Sequence, residues 1–411
     1  MNEKDYSDIN EEVSESGVPT GIEAETGEEE VLEPFDPDAI SITQKVVPMD
    51  SLIRRLKQET IHLSPAFQRN EVWDATRKSR LIESLMLHIP LPMFYVAADE
   101  EGRWEVVDGL QRLSTIRDFM IGDKDGVPLK LKNLEFLGEK YDGKTFKWIE
   151  SEPTTQKLAN DIFETEMRFT VINPGTPEAV KRNIFKRINT GGMPLTGQEI
   201  RHALYEGQSS VLLAKLVESA AFIRIMGKKV NDTRMGAREL ILRFVSFLVI
   251  DRESYKGGMD TWLSNAMRVI NCMPGLDAKK LQKIYLKETI PKINIDHVSE
   301  IKERFELAMC RAEKVFDGHA FRKSLPKESR KSPINKSLFE VWSNVLSSLS
   351  EEEYEMVLLK KEILLEQYEN VLYKLGGSNA ISRHSSTAKG IVESYDAIHD
   401  LVRGILREDS E

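Results

Sequence analysis

Residues 106–113 read Val-Val-Asp-Gly-Leu-Gln-Arg-Leu, and they decide the fold of the first half of the chain. The two valines end an apolar segment over residues 104–107, which follows a similar segment over residues 93–98. From Leu110 onwards, apolar residues recur at helical spacing as far as Gly122. The pattern therefore predicts a β-hairpin whose second strand runs through a tight turn into a helix.

The residues at this turn have the chemistry of a phosphate site. Gly109 lets the backbone approach a ligand closely, and the helix that begins there offers free N–H groups and a positive dipole end. Arg112 can bond two phosphate oxygens at once. Asp108 can hold Mg²⁺ or orient a water molecule, and Gln111 can hydrogen-bond a phosphate or that water. The structural alternative is that Asp108 only caps the helix.

A second segment of interest is residues 64–73, where Gln68 and Arg69 lie between Phe67 and Trp73. The two aromatic side chains would anchor the loop while Arg69 points towards an anion. The alternative is a surface arginine beside two core anchors. We expect Gln68 and Arg69 to meet the turn at residues 108–112 at one edge of a sheet.

A third segment, residues 185–195, contains an Asn-Thr-Gly-Gly turn directly after two cationic side chains. Arg187 and Asn189 are therefore second-rank candidates for the same pocket, together with Lys78 from the predicted helix over residues 75–88. Thr196 and Glu199 have the spacing of a helix capping box, and this structural role is at least as good an explanation as ligand binding.

The secondary-structure pattern predicts an α+β protein with two folded parts. Strand and helix patterns are mixed from residue 45 to residue 205, and almost every later segment has helical periodicity. We therefore predict a mixed-sheet domain over residues 45–205 and an all-α domain over residues 206–411. Residues 1–44 are predicted to be a disordered acidic tail.

Charge is unevenly distributed along the chain. Residues 1–40 hold fourteen acidic residues and one lysine, so that the remainder carries a small positive charge although the whole chain has a net charge of −10. The acidic segment is either a solubilising tail or a polyanion that competes with nucleic acid for a basic groove. On the second interpretation, removing residues 1–40 leaves the fold intact and strengthens DNA binding at low salt.

Residues 322–336 form the most basic stretch of the second half of the chain, with six lysine or arginine residues and one acid, Glu328. Such a stretch can follow a phosphate backbone with strongly salt-dependent affinity. The alternative is a solvated loop, and no aromatic residues are interleaved to stack on bases.

Several classes of protein are excluded or disfavoured by the composition. The two cysteines, Cys272 and Cys310, provide neither a disulfide framework nor a metal knuckle, and there is no secretory signal or long apolar run, so we expect a cytoplasmic protein without a membrane partner. A Walker A motif is absent. The seven histidines lack the spacing of a His-Asn-His nuclease site, so a nuclease is disfavoured.

Taken together, the motifs at residues 67–73, 81–92, 106–113 and 185–195 resemble the N-terminal domain family of the GmrSD restriction endonucleases. Leu110 stands where that family usually has glutamine, but the remaining residues of the Asp-Gly-x-Gln-Arg motif are intact. The resemblance extends over roughly residues 45–405, and the chain looks like a stand-alone member without a nuclease domain. It implies a ParB/sulfiredoxin-like fold for the mixed-sheet domain.

The resemblance also implies that the motif binds a nucleoside triphosphate and, in some members, hydrolyses it. The carboxylate of Asp108 adds Mg²⁺ as a second expected cofactor. On this basis Asp108 and Gln111 are the candidate catalytic residues, and Asp108 is the candidate metal ligand. The candidate nucleotide-binding residues are Gln68, Arg69, Lys78, Gly109, Arg112, Arg187 and Asn189.

Two functions of different class follow from these motifs. The first is a nucleotide-binding and NTP-hydrolysing module that acts on or near DNA in bacterial defence against foreign DNA. The second is a non-catalytic protein that uses the same groove to bind DNA or a partner. Expected partners are a nucleotide, double-stranded DNA, and a separate nuclease or modification-system protein.

Overall fold

The computed structural model describes residues 9–14, 17–24, 40–63, 73–188, 195–227, 232, 234–285 and 289–407 of the 411-residue chain. The chain divides into two compact units. Glu33–Leu195 form the first, called here the sheet unit, and Met1–Leu32 with Thr196–Glu411 form the second, called the helical unit. The predicted α+β class, a mixed sheet followed by a helical part, is confirmed.

The described strands are, in chain order, β1 Glu11–Val13, β2 Pro19–Glu23, β3 Ile42–Pro48, β4 Ile61–His62, β5 Phe94–Ala98, β6 Trp104–Asp108 and β7 Glu166–Ile172. The described α-helices are α1 Met49–Lys57, α2 Ala75–Met86, α3 Leu110–Met120, α4 Gly138–Tyr141, α5 Phe146–Ser151, α6 Gln156–Glu164, α7 Glu178–Ile188, α8 Gly197–Leu204, α9 Gln208–Val217, α10 Ala220–Met226, α11 Gly236–Val249, α12 Met259–Asn271, α13 Ala278–Tyr285, α14 Val298–Phe316, α15 Lys336–Ser348, α16 Glu351–Leu359, α17 Lys361–Gly377 and α18 Ala388–Arg407.

The sheet unit is built on a five-stranded mixed sheet with the strand order β3-β7-β5-β6-β4. The predicted hairpin is confirmed, because β5 and β6 pair antiparallel with Val96 opposite Val106 and Ala98 opposite Trp104. β5 also pairs with β7, and β6 with β4, both in parallel. β5 and β6 therefore lie inside the sheet, and the end of β6 fixes where the turn at residue 108 begins.

Aromatic residues from three strands form the centre of the core of the sheet unit. The ring centroids of Phe94 and Phe169 lie 5.1 Å apart, and those of Trp104 and Phe169 lie 5.2 Å apart. Helices α2 and α3 bury apolar residues in the same core, including Leu85 and Ile116. The strand-to-helix turn is thus anchored from both sides by well-packed elements.

Glu83 is a buried carboxylate of α2 that holds a neighbouring loop in place. Its oxygens accept hydrogen bonds from the backbone N–H groups of Glu135 at 2.9 Å, Phe136 at 2.7 Å and Leu137 at 2.8 Å. Burial raises the pKa of Glu83, but the three backbone hydrogen bonds outweigh burial, and the net pKa lies below its ordinary value of 4.5. The carboxylate is therefore charged and structural.

We expect Glu83→Gln to lower the free energy of unfolding by about 1.5 kcal/mol at pH 7, because the amide loses the charge and turns an NH₂ group towards one backbone N–H. A carboxylate with a depressed pKa stabilises the fold fully above its unfolded pKa, and this contribution is lost as the pH falls through the folded pKa. The difference in melting temperature between wild type and variant should therefore shrink as the pH falls below about 4.5. A difference in melting temperature between wild type and variant that stays the same at every pH would contradict this role of the Glu83 charge.

The helical unit contains helices α8 to α18 around one large apolar core. The part of this unit that follows the sheet unit begins at Thr196, whereas the sequence pattern predicts the boundary after residue 205. The difference is α8: Ile200 and Ala203 of this helix are buried, and Arg201 makes ion pairs to Glu239 and Asp260 of later helices. Periodicity alone could not assign α8 to either part, because its partners are distant in sequence.

β1 and β2 form a hairpin that belongs to the helical unit. Ile22 is fully buried in the apolar core, and it bridges Ile334 in parallel. The disorder predicted for residues 1–44 therefore does not hold for this hairpin. Its alternating pattern places one isoleucine in the core, and charge density alone gave no sign of that contact.

The described residues include no helix that is long and apolar enough to cross a membrane. Cys272 and Cys310 are both free thiols and both partly buried.

Candidate functional site

The predicted strand-turn-helix junction is present at the end of β6. Asp108 is the last residue of β6, and Gly109 follows as the N-cap of α3 with φ 97° and ψ 12°. This left-handed conformation favours glycine. A β-carbon at Gly109 would also overlap the ring of Phe94, so the position tolerates no side chain.

Among the described residues, nothing covers the N-terminus of α3. The carbonyl of Gly109 accepts the first intrahelical bond, from the N–H of Leu113 at 2.8 Å. Within the described part of the chain, no side chain caps the first N–H groups of the helix. Those groups and the helix dipole are therefore available to a negatively charged ligand.

Arg112 lies one turn into α3 and joins three pieces of the site. Its Nη2 donates to Oδ2 of Asp108 at 2.8 Å, and its Nη1 donates to the carbonyl oxygens of Pro92 and, at 3.3 Å, Met93. The guanidinium also stacks 4.7 Å from the ring centre of Phe94. Burial lowers the pKa of Arg112 and Asp108 raises it, while the side chain keeps its charge.

Asp108 is the exposed member of this pair. Its side chain is 38% exposed, compared with 13% for Arg112. Among the described residues Asp108 accepts hydrogen bonds from Arg112 and from no backbone N–H group of α3. The helix-cap alternative is therefore not observed, and the Asp108 carboxylate faces solvent while Arg112 fixes its orientation.

Gln111 connects the first turn of α3 with the loop that precedes α2. Its Oε1 accepts a long hydrogen bond of 3.5 Å from the backbone N–H of Trp73, and the guanidinium of Arg77 lies 4.7 Å from the ring centre of Trp73. Trp73, the last residue of the segment over residues 64–73, therefore meets the α3 turn. Gln68 and Arg69 themselves lie outside the described residues.

The second-rank candidates are not gathered at Asp108. Lys78 pairs with Asp118 at 2.7 Å, and Asp118 lies six residues after Arg112, roughly 9 Å along the helix axis. Arg187 is exposed in the last turn of α7, and Asn189 lies outside the described residues. Lys78 is therefore bound at the far end of α3 rather than at its first turn.

Comparison with known proteins identifies the family of this segment. Residues 51–206 match the family model described as the GmrSD restriction endonuclease, N-terminal domain. Over these residues, which are less than half of the chain, the sequence is similar to the GmrSD N-terminal domain family. No curated protein and no solved structure matches the chain. The family prediction is thereby confirmed for residues 51–206, a match that extends through α8.

Thr196 of the GmrSD N-terminal domain has the predicted structural role. Its side chain accepts from the N–H of Glu199 at 3.2 Å, and the Glu199 carboxylate accepts from the N–H of Thr196 at 2.6 Å. This reciprocal pair is a complete capping box for α8. The Thr196 hydroxyl also donates to the carbonyl of Arg234 at 3.1 Å, so it is occupied by structural contacts.

Sequence reasoning missed the turn before β5 as part of the GmrSD N-terminal domain site. Pro92 and Met93 supply the carbonyl groups that Arg112 binds, and Phe94 supplies the ring under its guanidinium. The signal was present in the Ile-Pro-Leu-Pro sequence that ends at Pro92. That sequence belongs to the motif over residues 81–92, and it leads directly into the carbonyl groups of Pro92 and Met93 that face α3.

Asp108 is the residue of this site that fits the candidate metal role. Among the described residues no group of three or more His, Cys, Asp or Glu side chains could hold a metal ion. Mg²⁺ is commonly bound through one or two carboxylates together with substrate phosphates. A partly exposed carboxylate beside an open helix N-terminus fits that arrangement.

Proposed function

We propose that this chain acts in a restriction system directed at DNA, and that its GmrSD N-terminal domain binds the phosphates of a nucleoside triphosphate. One observation carries the nucleotide part of the proposal. It is the open N-terminus of α3, flanked by the Asp108–Arg112 pair and set at the end of a buried strand. Oriented N–H groups beside an arginine are a recurrent means of binding phosphate.

The proposed contacts divide between backbone and side chains. The first N–H groups of α3 hold phosphate oxygens, and Gly109 leaves the space for their approach. Arg112 already donates to three protein oxygens, so it acts first by positioning Asp108 and the turn at Pro92. Its Nε–H donates to no protein atom within the described residues and adds one bond to the ligand.

The proposed hydrolytic step uses the exposed carboxylate of Asp108. A water oxygen bonds to the γ-phosphorus, the bond from that phosphorus to the bridging oxygen breaks, and the products are a nucleoside diphosphate and inorganic phosphate. Asp108 accepts the proton of the water, and Gln111 orients it. In the alternative arrangement Asp108 would instead be the protein ligand of Mg²⁺, which would neutralise phosphate charge.

A non-catalytic role for the same groove is the second candidate. The observation that favours it is the closed ion pair, because Arg112 binds Oδ2 of Asp108 at 2.8 Å and leaves only the other carboxylate oxygen to act on water. In that case the groove recognises a nucleotide, DNA or a partner protein without turnover. A nuclease or a modification-system protein is the class of partner we expect in either case.

A screen with radiolabelled ATP, GTP, CTP and UTP, each with and without duplex DNA, tests the proposal. We expect the wild-type chain to bind at least one triphosphate and to release phosphate from it, and Asp108→Asn to retain binding while losing at least about tenfold in turnover. The matched control is Asp125→Asn, which replaces an exposed carboxylate of the sheet unit and should change neither nucleotide binding nor turnover.

Each outcome of this screen decides between the candidates. Binding without phosphate release from any of the four nucleotides favours the non-catalytic role. Absence of binding of all four overturns the nucleotide proposal. Equal turnover by Asp108→Asn and wild type would remove Asp108 from the catalytic site.

A further inference from the structure

The acidic hairpin of β1 and β2 is held on the helical unit by cationic side chains. Nζ of Lys323 lies 2.7 Å from Oε1 of Glu23, and Nδ2 of Asn335 donates to Oε2 of the same carboxylate at 3.0 Å. Nζ of Lys336 lies 2.6 Å from Oε1 of Glu12. Two hairpin carboxylates are therefore bound by residues from the stretch over residues 322–336.

The backbone of the hairpin pairs with the same segment. The N–H of Glu23 donates to the carbonyl of Ile334 at 2.8 Å, and the N–H of Ile334 donates to the carbonyl of Gly21 at 2.8 Å. Ile22, between the two, is fully buried. The hairpin thus covers the surface that carries the cations and keeps solvent from it.

We define the basic cluster as Arg322, Lys323, Asn335 and Lys336. Arg322 and Lys336 are both buried side chains. Burial lowers the pKa of Arg322 to about 10, and the nearby carboxylate of Glu11 acts in the opposite direction. Lys336 also pairs with Glu239 at 2.9 Å and is partly compensated by it, whereas the carboxylate that acts on Arg322 is Glu11 of the hairpin. Buried cations are costly unless anions compensate them, so the cluster favours a further anionic occupant.

Glu11 and Glu23 lie opposite each other in the hairpin, which places like charges side by side. Such a pair destabilises a hairpin on its own. The basic cluster offsets this repulsion, and within the hairpin the N–H of Gly21 donates to Oε2 of Glu11 at 3.0 Å. The hairpin therefore depends on the cluster for its charge balance, just as the cluster depends on the hairpin.

We propose that the basic cluster is a binding site for the backbone phosphates of a nucleic acid, and that the hairpin carboxylates occupy it until a nucleic acid displaces them. Carboxylate and phosphate oxygens accept from the same lysine, arginine and amide donors. The polyanionic character of residues 1–40, with fourteen acids, matches that of a phosphate backbone. This site lies in the helical unit, so it does not depend on the nucleotide site of the sheet unit.

Full-length variants of equal charge test the proposal. Glu11→Gln/Glu12→Gln/Glu23→Gln removes the carboxylates that face the cluster, and Glu28→Gln/Glu29→Gln/Glu30→Gln removes three others from the same acidic segment. With a fluorescent duplex of about 20 base pairs at about 50 mM salt, we expect the first variant to bind about tenfold more tightly than wild type, and the second less than twofold.

A third variant shows which residues provide the gain in DNA affinity. Lys323→Gln added to the first variant should lower its affinity about threefold and flatten its salt dependence, because one phosphate contact is lost. Equal gains by the two triple variants would show an effect of overall charge and overturn the proposal. So would a first variant that melts at lower temperature but binds the duplex no better than wild type, because the hairpin would then be only a structural clasp.

Hydrogen–deuterium exchange of the wild-type chain gives an independent readout. If the duplex displaces the hairpin, the N–H of Glu23 loses the carbonyl of Ile334 and the N–H of Ile334 loses the carbonyl of Gly21, so the exchange of both N–H groups should rise when the duplex is added. Duplex binding with unchanged exchange at both residues would place the DNA elsewhere and overturn the proposal.

Discussion

Replacing Arg201 by methionine should lower the free energy of unfolding by about 3–5 kcal/mol, the range for removing one partner of a buried ion pair. Arg201 is 3% exposed, and its Nη2 lies 2.7 Å from Oε2 of Glu239. It also donates to Asp260 and, from Nε at 2.9 Å, to Gln198. Methionine fills much of the space but leaves these acceptors without their cation.

The electrostatics of Glu239 explain the size of this expected effect. Burial raises the pKa of Glu239, but Lys336 and Arg201 outweigh burial and hold the pKa well below its usual range. Without Arg201, the buried carboxylate keeps Lys336 at 2.9 Å and loses its other close cation. An incompletely neutralised buried charge is among the most destabilising changes in a protein core.

The matched control is Arg224→Met, which removes an exposed ion pair with Glu313 in the same unit. Exposed pairs contribute little to stability, so this variant should unfold close to wild type. Urea denaturation of wild type, Arg201→Met and Arg224→Met measures the differences in the free energy of unfolding, provided that this free energy falls with urea concentration at the same slope in all three proteins. Similar losses in both variants would contradict the assignment of Arg201 to a buried network.

Replacing Arg112 by alanine should weaken binding of the nucleoside triphosphate by about 1.5–3 kcal/mol, the range for hydrogen bonds to charged groups. The side chain positions Asp108 at 2.8 Å and the turn at Pro92 and Met93, and it lies beside the open N-terminus of α3. Its loss removes a cation and releases the Asp108 carboxylate towards the phosphates. Both effects act against an anionic ligand.

Arg112→Lys separates charge from geometry. Lysine keeps the charge but has no planar fork, so it cannot hold the Pro92 carbonyl and Asp108 together. We therefore expect a smaller loss of affinity than with alanine. Arg117→Ala is the control, because Arg117 lies on the same helix and pairs with Asp118 at 2.7 Å, away from the first turn.

Thermal melts and nucleotide titrations on the same preparations decide what Arg112 does. Some loss of melting temperature is expected, because the contacts of Arg112 are structural as well. If Arg112→Ala melts much lower but the folded molecules keep wild-type affinity, Arg112 is only structural, and its assignment to the nucleotide site fails.

Much of the sheet unit could be predicted from sequence because its signals are local. The hairpin of β5 and β6 and the turn at Gly109 each depend on residues within about a dozen positions of one another, and in the helical unit so does the capping box of Thr196. The candidate site residues Asp108, Gly109, Gln111 and Arg112 come from the same short stretch. The position of these residues at the end of a buried strand could also be predicted, because α3 follows β6 directly in the sequence.

The features that could not be predicted depend on distant pairing. Lys323 and Glu23 are 300 residues apart, so neither the acidic hairpin nor the basic stretch reveals the other by periodicity. The bonds from Arg112 to the carbonyl groups of Pro92 and Met93 follow from the register of β5 and β6, which composition does not determine. The predicted boundary between the two units lies after residue 205, later than the observed one at Thr196, for the same reason: α8 is held in the helical unit by ion pairs to Glu239 and Asp260.

The most direct test of the central claim, that the N-terminus of α3 binds nucleotide phosphate, is hydrogen–deuterium exchange of the full-length chain with and without ATP, GTP, CTP or UTP. For any nucleotide that binds, we predict slower exchange at Leu110, Gln111 and Arg112, because phosphate oxygens would occupy N–H groups that no side chain of the described residues caps. Binding that leaves these three N–H groups unchanged and protects only other segments of the chain would contradict the claim.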